Sequence, residues 1–188
     1  MSSQDTTQEA KNKMELTKKQ RTIKYICCFA IILLADLFQN VSGLLPEIGG
    51  ARCFILLPIA IIFAMGENIL SASLIGLFAG LLWDLSGAVH LGFNCIFITV
   101  FCLCASILTT YIARDTFITN MVMTVFTIIL YCIIYWLCFI VIRGTGDSKT
   151  IFTFYLPCAI YTALISPILW LILDKLKKKL NHTPKLDF

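Results

Sequence analysis

The sequence predicts an all-α integral membrane protein, a bundle of six transmembrane helices with both the N and the C terminus in the cytoplasm. Apolar residues make up 59% of the 188 residues and charged residues 14%, which is too little charge for the surface of a soluble domain. The apolar residues fall into six runs, and most lysines and arginines lie before the first run or after the last. Cytoplasmic segments carry such an excess of basic residues.

The six apolar runs divide the chain into three parts. Residues 1–22 form a polar, basic leader that we expect to be partly disordered and cytoplasmic. Residues 23–175 form the six-span membrane domain, and residues 176–188 form a short basic cytoplasmic tail. The predicted spans are residues 23–41, 53–66, 69–83, 91–113, 117–142 and 151–173.

The second and third runs are short for transmembrane helices. A helix needs roughly 20 residues to cross about 30 Å of hydrocarbon, and residues 53–66 and 69–83 do not reach that length. Only the tripeptide Gly-Glu-Asn separates the two runs. A hairpin that does not fully cross the membrane is therefore the alternative for this pair.

Three polar residues interrupt the first predicted span. Asp36, Gln39 and Asn40 are spaced i, i+3 and i+4, so they share one face of a helix. An unpaired acid in hydrocarbon is costly, so this face should point into the bundle. Two interpretations stay open: a polar cavity open to the outer side, to which Arg52 would contribute, and a hydrogen bond between helices that fixes the first span.

A stripe of small residues runs along the third span and ends at an acid. Its members recur every four residues and are Ala72, Gly76, Gly80 and Asp84. Such stripes let two helix backbones approach closely in lipid. Asp84 would meet the unfavourable end of its own helix dipole, so it needs donors, either basic side chains of the outer loops or backbone N–H groups that begin the fourth span. Gly87 and Gly92 are predicted to allow the tight turn between these spans.

The sequence shows no motif of an active site, a metal site, a cofactor site or a nucleic-acid interface. All nine cysteines lie in apolar runs without a Cys-x-x-Cys pair, so we interpret them as small buried apolar thiols. There is no glycine-rich phosphate loop and no nucleophile elbow. We expect no enzyme, and the alternative would be catalysis by the two acids Asp36 and Asp84.

The basic tail begins directly after the last span. The first four lysines at this end are Lys175, Lys177, Lys178 and Lys179. They are suited to binding anionic lipid or a cytoplasmic filament partner, and simple anchoring of the topology explains them equally well.

The segment GLFAGLLWDLSGAVHLGFNCI, residues 76–96, resembles the signature region of the rod shape-determining MreD family. It has glycines four apart, a leucine-rich step, an acid, a small-residue turn and Leu-Gly at the next span. The segments LADLFQN (34–40) and PEIGGARCFILLPIAI (46–61) resemble the first span, the loop and the second span of that family. The resemblance covers roughly residues 23–175.

The resemblance implies a non-enzymatic scaffold subunit of the cell-elongation machinery in the bacterial cytoplasmic membrane. Its implied partners are an MreC-type scaffold protein and, indirectly, MreB-type filaments and the polymerase and transpeptidase pair that insert lateral wall. The family's fold is similar to substrate-binding subunits of energy-coupling-factor vitamin importers, which supplies an alternative function. Those subunits usually carry an alanine-spaced stripe in the first span, whereas Ala30 and Ala35 here are five apart, so we favour the scaffold.

Overall fold

The computed structural model of the chain describes residues 18–41, 53–87, 92–112, 115–138 and 155–181. In these ranges the chain is all-α, as predicted, and has no β-strand. The helices are α1 (Lys18–Asn40), α2 (Leu56–Ala64), α3 (Ile69–Gly87), α4 (Phe93–Tyr111), α5 (Phe117–Trp136) and α6 (Leu156–Asn181).

Five of the six helices, all except α2, are long and apolar enough to cross a membrane. α2 has nine residues, which extend about 13 Å, less than half of the hydrocarbon thickness. Residues 53–66 therefore do not form a helix of spanning length. α3 has 19 residues and ends at Gly87, so the prediction of a short third span was wrong. The helix continues through Asp84 because that carboxylate is buried and hydrogen-bonded.

The first and last helices extend beyond the apolar runs that predict them. α1 begins at Lys18, so the end of the predicted leader is helical. α6 continues to Asn181, so the beginning of the predicted tail is helical as well. Lysine, arginine and glutamine are good helix formers, and a helix that is already nucleated extends readily through them.

Ion pairs tie several helices together at one end of the bundle, which we call the basic end. Lys24 of α1 pairs with Glu67, which lies in the turn between α2 and α3. Lys177 of α6 pairs with Asp115, which precedes α5, at 2.7 Å between Nζ and Oδ2. Lys177 also donates to the carbonyl oxygen of Met65, just after α2. The start of α1 and the end of α6 thus lie on the same side, and that this side is cytoplasmic stays a prediction from the lysines.

α2 lies at the centre of the bundle. All nine of its residues are buried, and it packs against each of the other five helices. Its side chains are apolar throughout, so its only polar groups are those of the backbone. Without water, each unpaired backbone N–H or C=O costs several kcal/mol, so both ends of α2 need partners from other helices.

Side chains of α1 and α6 satisfy the beginning of α2. The backbone N–H of Leu56 donates to Oε1 of Gln39 at 3.0 Å. The backbone N–H of Phe54 donates to Oγ1 of Thr162 at 3.0 Å. Pro58, in the first turn, brings no N–H that would need an acceptor. Gln39 is therefore a capping side chain for α2.

The turn after α2 satisfies part of its C-terminal end. The N–H of Glu67 donates to the carbonyl of Ala64 at 3.2 Å, across Gly66. Gly66 has a φ of 76°, in the left-handed region that favours glycine. Its own N–H donates to Oγ1 of Thr109 on α4 at 3.1 Å. The turn therefore reverses the chain and joins α2 to α4.

Lys177 completes the C-terminal end of α2. Its ammonium donates to the carbonyl of Ile62 at 3.2 Å and to that of Met65, besides pairing with Asp115. The side chain is only 11% exposed, so this lysine is a structural ligand of α2. A cation is favourable there because the C-terminal end of a helix carries partial negative charge.

Replacing Lys177 with methionine should destabilise the protein by about 2–3 kcal/mol, since buried acceptors then lose a charged donor. Lys178→Met is the matched control. The side chain of Lys178 is 70% exposed, and within the described part of the chain its ion pair is with Asp174, one turn earlier. Thermal unfolding in mild detergent measures both. Equal shifts in the two variants would contradict the structural role of Lys177.

Candidate functional site

Two glycines of the predicted stripe bring α3 into backbone contact with α4. A Cβ at Gly80 would lie 2.5 Å from the Cα of Cys95 and 2.6 Å from the carbonyl oxygen of Asn94. A Cβ at Gly76 would lie 2.8 Å from the Cα of Thr99. These distances leave no room for any side chain, so close packing requires glycine at both positions. The helix that approaches the stripe is α4 of the same chain.

Asp84 caps the beginning of α4. Its Oδ2 accepts hydrogen bonds from the backbone N–H groups of Gly92 at 2.9 Å and Cys95 at 3.0 Å. Its Oδ1 accepts a third, from the backbone N–H of Asn94 at 3.2 Å. Asp84 is only 3% exposed, and its charge lies at the favourable end of the α4 dipole. Of the two kinds of donor considered from the sequence, the backbone groups of α4 bind this carboxylate.

The remaining members of the predicted stripe and turn lie on either side of this cap. Ala72, at the start of the stripe, is fully buried. Gly87 is the last residue of α3, and Gly92 has a φ of 92° immediately before α4. Gly92 therefore needs to be glycine for its backbone conformation. Residues 88–91 of the turn lie outside the described residues.

Asn94 connects this cap to an aromatic cluster that the sequence analysis did not identify. Asn94 is buried, and its Oδ1 accepts a hydrogen bond from the hydroxyl of Tyr131 on α5 at 2.9 Å. The ring of Tyr131 lies 5.2 to 5.8 Å, centroid to centroid, from those of Phe54, Trp83, Phe97 and Tyr135. The cluster joins α3, α4 and α5. The sequence feature that could have indicated this contact is Asn94 itself, a single asparagine near the start of an apolar run.

Asp36 joins the ends of α1 and α3. It is buried, and its Oδ2 accepts a hydrogen bond from the hydroxyl of Ser86, near the end of α3. Its Oδ1 accepts another from the side-chain amide of Asn40 at 2.9 Å. The bond from Ser86 joins α1 to α3, and the bond from Leu56 to Gln39 joins α1 to α2, whereas the bond from Asn40 lies within α1. Arg52, the fourth residue of the predicted cavity, lies outside the described residues.

The four lysines of the basic tail do not act as one surface. Lys177 points inward to α2 and Asp115, so the interpretation of Lys177 as a lipid or filament contact was wrong. Lys175, Lys178 and Lys179 are exposed. The difference follows from helical spacing, because a residue two positions away faces about 200° around the helix.

The described part of the chain has no cluster of groups suited to metal binding. No three side chains of histidine, cysteine, aspartate or glutamate come together there. The structure describes all nine cysteines, none of which forms a disulfide, and five of them are buried. The buried polar groups described above bond to other helices of this chain.

Comparison with known families identifies the family of the chain. A family model described as rod shape-determining protein MreD matches residues 19–180, which include nearly all of the six helices. The chain belongs to the MreD family. No curated protein and no solved structure matches it. The MreD resemblance noted in residues 76–96 is thus confirmed, and this MreD-family chain is a rod shape-determining, multi-pass membrane protein. MreD is not a known enzyme family.

Replacing Gly80 with alanine should destabilise this MreD protein by about 1–3 kcal/mol, because the methyl group overlaps the α4 backbone. Leucine should destabilise it further. Leu81→Phe is the matched control, since Leu81 is 46% exposed on the lipid-facing side of the same helix. Accumulation in membranes and thermal unfolding in detergent measure both effects. Normal accumulation of Gly80→Leu would contradict the close contact.

Replacing Asp84 with asparagine should be milder than replacing it with leucine. The amide oxygen can still accept from part of the α4 cap, whereas leucine removes the acceptor of three N–H groups, of which that of Asn94 is buried and those of Gly92 and Cys95 are half-buried. A buried N–H without a partner costs about 1–3 kcal/mol. Hydrogen exchange at the first turn of α4 measures the loss directly. Equal functional loss in both variants, at normal protein levels, would instead indicate a required negative charge.

Proposed function

We propose that this MreD-family chain is a non-enzymatic scaffold subunit of the bacterial cell-elongation machinery. The observation that carries the proposal is the family match over residues 19–180. The scaffold would bind an MreC-type membrane protein directly. Through that protein it would act with MreB-type filaments and with the polymerase and transpeptidase pair that insert lateral wall.

The internal contacts support a structural role for both candidate acids. Asp84 accepts three backbone hydrogen bonds, and Asp36 accepts bonds from Ser86 and Asn40. Each acid joins two elements of the bundle. We therefore assign these acids to the stability of the scaffold rather than to catalysis.

A partner helix would pack against the lipid-facing surface of the bundle. Gly76 and Gly80 are already in contact with α4, so the small-residue stripe is closed to a second protein. Bulky residues there would weaken partner binding indirectly, by separating α3 from α4. This distinguishes the stripe from a direct contact surface.

We place the protein in the bacterial cytoplasmic membrane with both termini in the cytoplasm. The support is that Lys24, which pairs with Glu67, and Lys177, which pairs with Asp115, lie at the same end of the bundle, together with the excess of lysine there. Exposed lysines at this end would also lie within reach of anionic lipid.

The importer alternative receives no specific support. Substrate binding would require free polar groups at the end of α1. The carboxylate of Asp36 is bonded to Ser86 and Asn40, and Oε1 of Gln39 is bonded to the backbone of Leu56. We therefore retain the scaffold as the only proposed function.

Deleting the gene in its rod-shaped host should produce round or widened cells, and the wild-type chain should restore the rod shape. The Gly80→Leu variant should not restore it. In mild detergent, the tagged wild-type chain should retain the MreC-type partner, detected by a specific antibody. Unchanged cell shape after deletion, or intact shape without partner retention, would contradict the scaffold role.

A further inference from the structure

The exposed face of α6 changes from apolar to basic along its length. From Ile160 onward its exposed apolar side chains, which we call the apolar track, are Ile160, Leu164, Ile168, Leu171 and Ile172. The exposed side chains that follow, which we call the lysine strip, are Lys175, Lys178 and Lys179. At about 100° per residue, all eight lie within about 120° of the helix circumference. The track and the strip therefore form one continuous face.

The length of α6 places the lysine strip at the expected depth of lipid headgroups. Lys175 lies about 28 Å along the axis from Leu156, close to the thickness of the hydrocarbon core. Lys178 and Lys179 lie about 5–6 Å further, within the headgroup layer. Trp170, about 8 Å before Lys175 along the helix axis, packs against Phe117 at the start of α5 with ring centroids 5.0 Å apart, as aromatic residues do near a membrane boundary.

The charges of the strip are only partly compensated by the protein. Lys178 pairs with Asp174 at 2.6 Å. Lys175 and Lys179 are exposed, and neither pairs with an acid among the described residues. Both are exposed on α6, one turn apart, on the face that continues the apolar track. An anionic headgroup is the complementary ligand.

We propose that this face of α6 binds an anionic phospholipid of the leaflet at the basic end. Lys175 and Lys179 hold its phosphate, and an acyl chain lies along the apolar track toward the middle of the membrane. From Ile172 to Ile160 the track extends about 18 Å, comparable to the length of one leaflet. The lysine stems can lie along the helix while the ammonium groups reach the phosphate.

The lateral position distinguishes lipid from a cytoplasmic protein as the occupant. A filament partner approaches from the cytoplasm, along the axis of the bundle, whereas Lys175 is exposed on the side of α6, directly after the apolar track. Lys177, which points the other way, is already bonded to Asp115 and to α2. The site is independent of the scaffold role, since it requires only the folded chain.

Binding is tested with the purified full-length chain in nanodiscs that contain equal amounts of phosphatidylglycerol and phosphatidylcholine. Lipids retained after transfer to mild detergent are counted by mass spectrometry. Wild type should retain phosphatidylglycerol preferentially, and the double variant Lys175→Gln/Lys179→Gln should lose about fivefold in preference for each lysine. Lys175→Arg/Lys179→Arg should keep the preference, because the charge remains.

Arg21→Gln is the matched control, because Arg21 is an exposed cation of α1 at the same end. It should leave the preference unchanged. An equal loss in Arg21→Gln would mean general surface charge and would overturn the proposed site. So would an unchanged preference in the double glutamine variant.

If that variant keeps its lipid preference but fails to restore rod shape, the strip contacts a protein instead. Loss of lipid preference with normal partner retention supports the lipid site whatever the scaffold role.

Discussion

The bundle depends on keeping a nine-residue helix buried in a place without water. α2 contributes no polar side chain, yet its two ends expose backbone groups that lipid cannot satisfy. Gln39 of α1 and Thr162 of α6 bind its beginning, and Lys177 of α6 binds its end. These bonds set the rotation of α1 and α6 about their axes. The lipid-facing sides of both helices follow from that rotation.

The glycine stripe and the Asp84 cap form a single joint between α3 and α4. Gly80 contacts the backbone of Asn94 and Cys95, and the N–H groups of those same two residues donate to Asp84. Without the glycine, the first turn of α4 could not come close enough to reach the carboxylate. Without the carboxylate, the three N–H groups at the beginning of α4 would lose their acceptor. The steric and electrostatic contributions are therefore coupled, and variants of the two positions should not be additive.

The polar groups between the helices are bonded within the chain, whereas the outer surface of the bundle is open to lipids and to partner helices. Polar side chains at both ends join segments of the same chain: Asp36 with Ser86, and Lys177 with Asp115. The outer surface of α6 instead presents apolar side chains and, at the basic end, exposed lysines. A membrane scaffold needs this division, because a rigid interior holds the outer faces in fixed positions for lipids and for partner helices.

The sequence by itself determined the features that depend on neighbouring residues. These are the all-α membrane class, the four-residue spacing that aligns Gly76, Gly80 and Asp84, and the polar face of α1. Only the tertiary structure decided which donors bind Asp84, that Lys177 turns inward, and that Asn94 meets Tyr131. It also decided that residues 53–66 contain a short central helix rather than a spanning one. Hydrophobicity is similar for a buried helix and a lipid-facing one, and only contacts between residues far apart in the chain distinguish the two.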